Sequence, residues 1–91
     1  MNYRVHELVQ LLTLHRKVAV AWLAGDAGLA ASRRRLSTWV TQQMKERVRV
    51  PDTEPALDEW SALAMAVRQR SITEQECKHR HDALIGQFLQ A

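Results

Sequence analysis

Five cysteine and histidine side chains in this 91-residue sequence are candidates to ligate a metal or move a proton: a lone cysteine, Cys77, and four histidines, His6, His15, His79 and His81. If the stretch around Cys77 is helical, Cys77 and His81, at i and i+4, share a face, and His79 points elsewhere. A thiolate and an imidazole on one face are half of a tetrahedral zinc site, and His6 or His15 would have to help complete it. Structural zinc sites carry ligand pairs at two separate places, and the second pair is missing here, so no metal is expected. Two histidines near a cysteine also suggest a nucleophile with a base. A cysteine on the apolar face of a helix, however, is more often inert packing. There is no glycine-rich phosphate loop and no HExxH. The expectation is a non-enzymatic protein with no catalytic residue and no cofactor.

The second chemical feature is basic. Arg33, Arg34 and Arg35 are consecutive, with Ser32, Ser37, Thr38 and Trp39 around them, and Lys45, Arg47 and Arg49 follow. Guanidinium groups beside hydroxyls suit phosphate contacts, which makes these six cations the candidate nucleic-acid-binding residues. On a helix the three arginines fan out about 100° apart, so at least one lies near the apolar seam. Arg34 is the expected buried one, held by an acid such as Glu59. The stretch Leu23 to Val40 resembles a helix-turn-helix, with Ala27-Gly28-Leu29 in the turn and Ser32 to Trp39 as recognition helix. It departs from that motif at Arg34, where an apolar residue belongs; Leu36 comes two residues late.

The charge is uneven. Residues 1–50 hold nine Lys/Arg against three Asp/Glu, and residues 51–91 hold four against seven. The first half could meet an acidic partner, or the two halves could attract each other within or between chains. Trp22, Trp39 and Trp60 all fall beside apolar seams. Tryptophan is mostly buried, and it is also enriched where partners dock, so these three are the candidate interface residues.

The elements that must position these groups are helical. Hydrophobic residues make up 46% of the chain, with only three Gly and two Pro. Helix one is expected over residues 3–24, with His6, Gln10, Thr13 and Lys17 as a polar stripe and an apolar arc wide enough to pack on two sides. Gly25 ends it and Asp26 caps helix two, which runs over 27–49 with Leu29, Leu36, Val40, Met44 and Val48 on one face. Pro51-Asp52-Thr53-Glu54-Pro55 reads as the linker. Helix three spans 54–70, capped by Thr53, with Pro55 in its first turn and Leu57, Trp60, Ala64 and Val67 on its seam. Ser71 and Glu74 read as a capping box for helix four, which buries Cys77, His81, Leu84, Ile85 and Phe88.

The reading is one all-α domain over residues 1–91: two antiparallel hairpins (3–49 and 56–90) joined by a linker at 50–55, forming a small four-helix bundle. The longest apolar run, Val18 to Ala24, is too short to span a bilayer. The single cysteine and the lack of a cleavage signature fit the cytoplasm, and the arginine- and alanine-rich usage fits a GC-rich bacterial genome. The expected function is a helical interaction module, self-associating or an accessory subunit of a larger assembly that could contain nucleic acid. The alternative is a small nucleic-acid-binding protein or regulator using the basic patch of helix two.

Overall fold

The structure is a computed structural model that describes residues 3–47 and 54–90. It contains helices α1 (Tyr3–Leu23), α2 (Ala30–Arg47), α3 (Glu54–Gln69) and α4 (Glu74–Leu89), with a short 3-10 turn, Ala27–Leu29, leading into α2. Each helix buries one seam at three- and four-residue spacing, the period that keeps side chains on one side of an α-helix. On α1 the seam is Leu8, Leu12, His15 and Ala19; on α2 it is Arg33, Leu36, Val40 and Met44. On α3 it is Ala56, Trp60, Leu63 and Val67; on α4 it is Cys77, His81, Leu84 and Phe88.

The helices run up, down, up and down in a ring. Trp22 sits beside Arg33 and Leu11 beside Trp39, so α1 and α2 are antiparallel. Trp60 meets Thr41 while Arg68 lies across from Arg34, Glu59 meets Gln87 while Leu63 lies by Arg80, and His15 meets His81 while Val20 lies by Lys78, so each following neighbour is antiparallel too. Helix α1 packs closely along both α2 and α4, as its wide apolar arc predicts. The two expected hairpins therefore merge into one bundle. Helix α3 approaches its neighbours less closely and fills the gap with Trp60, which is fully buried. The full-length antiparallel packing of α1 on α2 differs from the crossed pair of a helix-turn-helix, so that resemblance does not hold.

The turns explain the boundaries. Gly25 adopts φ +105, and two bonds close the end of α1: Gly25 N–H to the Trp22 carbonyl at 3.1 Å and Asp26 N–H to the Ala21 carbonyl at 3.1 Å. A left-handed residue carrying this bond pair is the usual helix stop, and glycine takes it without a Cβ penalty. Asp26 then accepts from Gly28 N–H at 3.1 Å. That short bond tightens the first turn into a 3-10 geometry, so the α-helix begins at Ala30 rather than at residue 27. The same stop closes α3, with Arg70 N–H to Val67 and Ser71 N–H to Ala66, but here the left-handed residue is Arg70, φ 54. Because Ser71 is used in that stop, it does not cap α4. Thr73 and Glu76 form the capping box instead of Ser71 and Glu74. Pro55 does lie in the first turn of α3. The linker residues 48–53, including the expected Thr53 cap, lie outside the described residues. No described helix is long and apolar enough to cross a membrane.

Candidate functional site

Two polar constructions stand out, one inside the bundle and one on its flank. The inner one begins at His15 on α1, which the sequence reading did not place on the seam. His15 is fully buried, as is His81 on α4. His15 Nδ1 lies 2.7 Å from His81 Nε2, and His15 Nε2 lies 2.8 Å from Ser37 Oγ on α2. His81 Nδ1 lies 2.6 Å from the Cys77 carbonyl oxygen. That carbonyl can only accept, which fixes the protons of the whole chain. His81 donates from Nδ1, so its neutral Nε2 accepts from His15 Nδ1–H. His15 Nε2 then accepts from the Ser37 hydroxyl. Trp60 closes the group from α3, its ring edge-on to His15 with centroids 4.8 Å apart. Its indole N–H donates to Thr41 Oγ1 at 2.9 Å.

This arrangement holds both imidazoles neutral. Burial, the His81 ring and the Arg33 guanidinium together push His15 down to about 3. Burial also lowers His81, against the Cys77 carbonyl bond, which acts the other way. Cys77 is buried 3.6 Å from His81 Nδ1, and burial pushes its thiol up to about 11. Cys77 and His81 do share a face, as their spacing implies. The ring nitrogens are occupied by one another, by Ser37 and by the Cys77 carbonyl, so no lone pairs converge on a vacant point. Among the described residues no group of three or more His, Cys, Asp or Glu could hold a metal ion. His6 is elsewhere, beside Gln10, and His79 is exposed. The order Ser37–His15–His81 is that of a nucleophile, a base and an orienting group. A base held near 3 is a poor proton acceptor at neutral pH, and catalysis wants a base poised near the working pH.

The flank construction is a cleft of about 700 Å³ between α2 and α3. Arg33, Arg34 and Arg68 line it, with Ser37, Thr38 and Thr41 along the α2 wall and Met65 on the α3 wall. The buried arginine is Arg33, 6% exposed, and not Arg34, which is exposed. Arg33 lies seven residues before Val40 and three before Leu36, in phase with the seam, while Arg34 is rotated off it. Glu59 does not hold either one; it accepts from Gln87. Arg33 lies over the Trp22 ring, 4.9 Å from its centroid, and Arg70 covers Trp22 at 3.9 Å. The Arg70 guanidinium also donates to the Trp22 carbonyl at 3.0 Å. Arg33 Nε is the one buried side-chain polar atom among the described residues without a hydrogen-bond partner. Burial lowers the Arg33 pKa, and Arg34, Arg68 and Arg70 push it the same way.

Those of the six candidate cations that the structure describes are therefore dispersed. Arg33 and Arg34 enter the cleft, and Lys45 is exposed further along the same flank. Arg35 is exposed on the α1 side, one turn from Trp39. The side chain of Arg47 and all of Arg49 lie outside the described residues. The sequence reading missed Arg68 and Arg70, which α3 brings to the same end. The three tryptophans divide as well. Trp60 is in the core, Trp22 is half-buried with its N–H on the Val67 carbonyl, and Trp39 is 49% exposed. Of the three, Trp39 alone is an open surface. Comparison with protein-family models, curated proteins and solved structures gave no match to this chain.

Proposed function

We propose that the protein is a non-enzymatic helical interaction module that associates with itself or serves as an accessory subunit of a larger assembly, docking through the outer seam of α1 and α2. The observation that carries this reading is Trp39, half exposed in a furrow shared with Leu11. Leu14, the next turn of α1 on that side, is 47% exposed. A large aromatic flanked by an aliphatic is the usual anchor of a docking surface. Glu7 lies at one end of the furrow and Arg35 one turn beyond Trp39 at the other. A second copy related by a two-fold axis through Trp39 would set the acidic end of each chain against the basic end of its partner, the self-complementary arrangement a symmetric dimer needs.

The nucleic-acid reading has less behind it, because Arg33, Arg34 and Arg35 spread over the interior and two flanks rather than forming one track. Sedimentation velocity across micromolar concentrations tests the proposal. The wild-type chain should sediment as more than a 10.5 kDa species. Trp39→Ala should shift it toward monomer by about 2.5 kcal/mol per interface tryptophan, from roughly 100 Å² of exposed indole at about 25 cal/mol per Å². A monomeric wild-type chain that also captures no protein partner through Trp39 would refute it.

A further inference from the structure

We propose that the cleft between α2 and α3 is a binding site for a small phosphomonoester carrying a hydrogen-bond donor about one helical turn from its phosphate. Three guanidinium groups, from Arg33, Arg34 and Arg68, converge on it, and among the described residues no carboxylate pairs with any of them. One of the three, Arg33, is 94% withdrawn from solvent, packed over the Trp22 ring, and retains an unpartnered Nε. An unpaired buried cation is costly to a small bundle, and a methionine of similar length would pack there at less cost. An oxyanion in the cleft would meet the open guanidinium groups of Arg34 and Arg68 in the forked geometry such groups favour, with the Arg33 charge close behind them; Arg33 Nε itself is closed to solvent and is not its contact. A monocarboxylate would leave most of the local positive charge uncompensated; a dianionic phosphomonoester neutralises two of the three.

The wall beyond the arginines sets the rest of the ligand. The Thr38 hydroxyl donates to the Arg34 carbonyl at 2.9 Å and the Thr41 hydroxyl to the Ser37 carbonyl at 2.8 Å. The Ser37 proton is committed to His15. Thr41 Oγ1 already accepts from the Trp60 indole, but the Ser37 and Thr38 oxygens line the cleft as acceptors alone, so they call for a donor such as a sugar hydroxyl or an amine. Ser37 and Thr38 lie about 5–6 Å along the helix from Arg33 and Arg34, which sets the spacing between phosphate and donor. Met65, 59% exposed, gives an adaptable apolar cover on the facing wall. A nucleic-acid strand fits less well. Such strands stack bases on open aromatic faces, and Trp22, the aromatic of this cleft, already has Arg33 and Arg70 on its ring.

Calorimetric titration with ribose 5-phosphate, inorganic phosphate and ribose tests this on wild type, Arg33→Met, Arg68→Met and Thr38→Val. Ribose 5-phosphate should bind more tightly than inorganic phosphate, and ribose should not bind. Arg33→Met should weaken ribose 5-phosphate by about threefold or more, the scale of a lost neighbouring charge, while unfolding at the same or a higher denaturant concentration. Arg68→Met, on the exposed rim, should weaken it without any bearing on the core. Thr38→Val should weaken ribose 5-phosphate and leave inorganic phosphate unchanged. Equal binding by wild type and both arginine variants, or no binding of any phosphate, would overturn the proposal. Tighter binding of a short oligonucleotide lacking terminal phosphates, with affinity falling steeply in salt, would overturn it in favour of a phosphodiester ligand.

Discussion

Acid should unfold this bundle well above the pH at which carboxylates usually dominate, because its centre is built from two neutral imidazoles. An unfolded histidine takes up a proton near 6.5, whereas His15 in the fold resists down to about 3. Between those values the unfolded chain binds more protons than the native one. Stability is therefore complete above pH 6.5 and is lost as the pH falls toward 3. Near pH 5 the loss from His15 alone is RT ln(1 + 10^1.5), about 2 kcal/mol. His81 is shifted in the same direction and adds to it. No carboxylate offsets this at His15: its surroundings are His81, Ser37, Trp60 and the cationic Arg33. Asp82 acts on His81, but Arg16 and Arg80 oppose it there. A domain of this length is stable by roughly 5–14 kcal/mol, so the effect is a large share. Urea unfolding at pH 7.5 and pH 5, followed by tryptophan fluorescence, should show the midpoint falling by about 1.5 M, taking a urea slope near 1.3 kcal/mol per molar. The double variant His15→Leu/His81→Leu should lose most of that dependence. Equal midpoints at both pH values in the wild type, or an undiminished shift in the double variant, would refute the assignment of neutral buried histidines.

Three further outcomes follow from the turns and the core. Thr73→Ala should cost about 1 kcal/mol in urea unfolding, as loss of an N-cap does, while Ser71→Ala should change the midpoint little. Arg70→Ala should cost about 1 kcal/mol, because it keeps the left-handed backbone and loses the Trp22 contacts; Arg70→Gly should be nearly neutral, since relief of about 1 kcal/mol at φ 54 offsets that loss. Cys77 should resist a thiol reagent such as Ellman's in the native protein at neutral pH and react only as fast as the bundle opens, given its burial and its thiol at about 11; rapid native labelling would contradict its place in the core.

The helices were legible because their apolar residues recur at three and four, and because Gly25 and Asp26 are specialised for stopping and starting helices. The errors came where one residue type could serve two roles. Ser71 and Thr73 both precede an acid by three, and the choice between them depends on where α3 stops, which Arg70 decides by taking a conformation that usually belongs to glycine. The sequence reading leaves His15 off the seam because it treats polarity as a mark of the surface, and of the three arginines it buries Arg34 where the structure buries Arg33. Their phase pointed the other way: His15 is seven after Leu8 and four before Ala19, and Arg33 is three before Leu36. The convergence of Arg68 on Arg33 and Arg34 could not be read from the sequence at all, since it depends on how α3 docks across a linker.

The Ser37–His15–His81 relay also answers a problem that small helical bundles share. Seams made of Leu, Val and Ala are nearly indifferent to sliding, because one aliphatic knob fits almost as well in the next hole. Moving α1 by one turn along its axis displaces His15 by about 5.4 Å, far beyond hydrogen-bond reach. The imidazoles and the Ser37 hydroxyl would then be left in apolar surroundings without partners, at about 1–3 kcal/mol each. The relay thus works as an alignment pin through three helices: it adds modestly to the stability of the correct arrangement and heavily penalises its near neighbours.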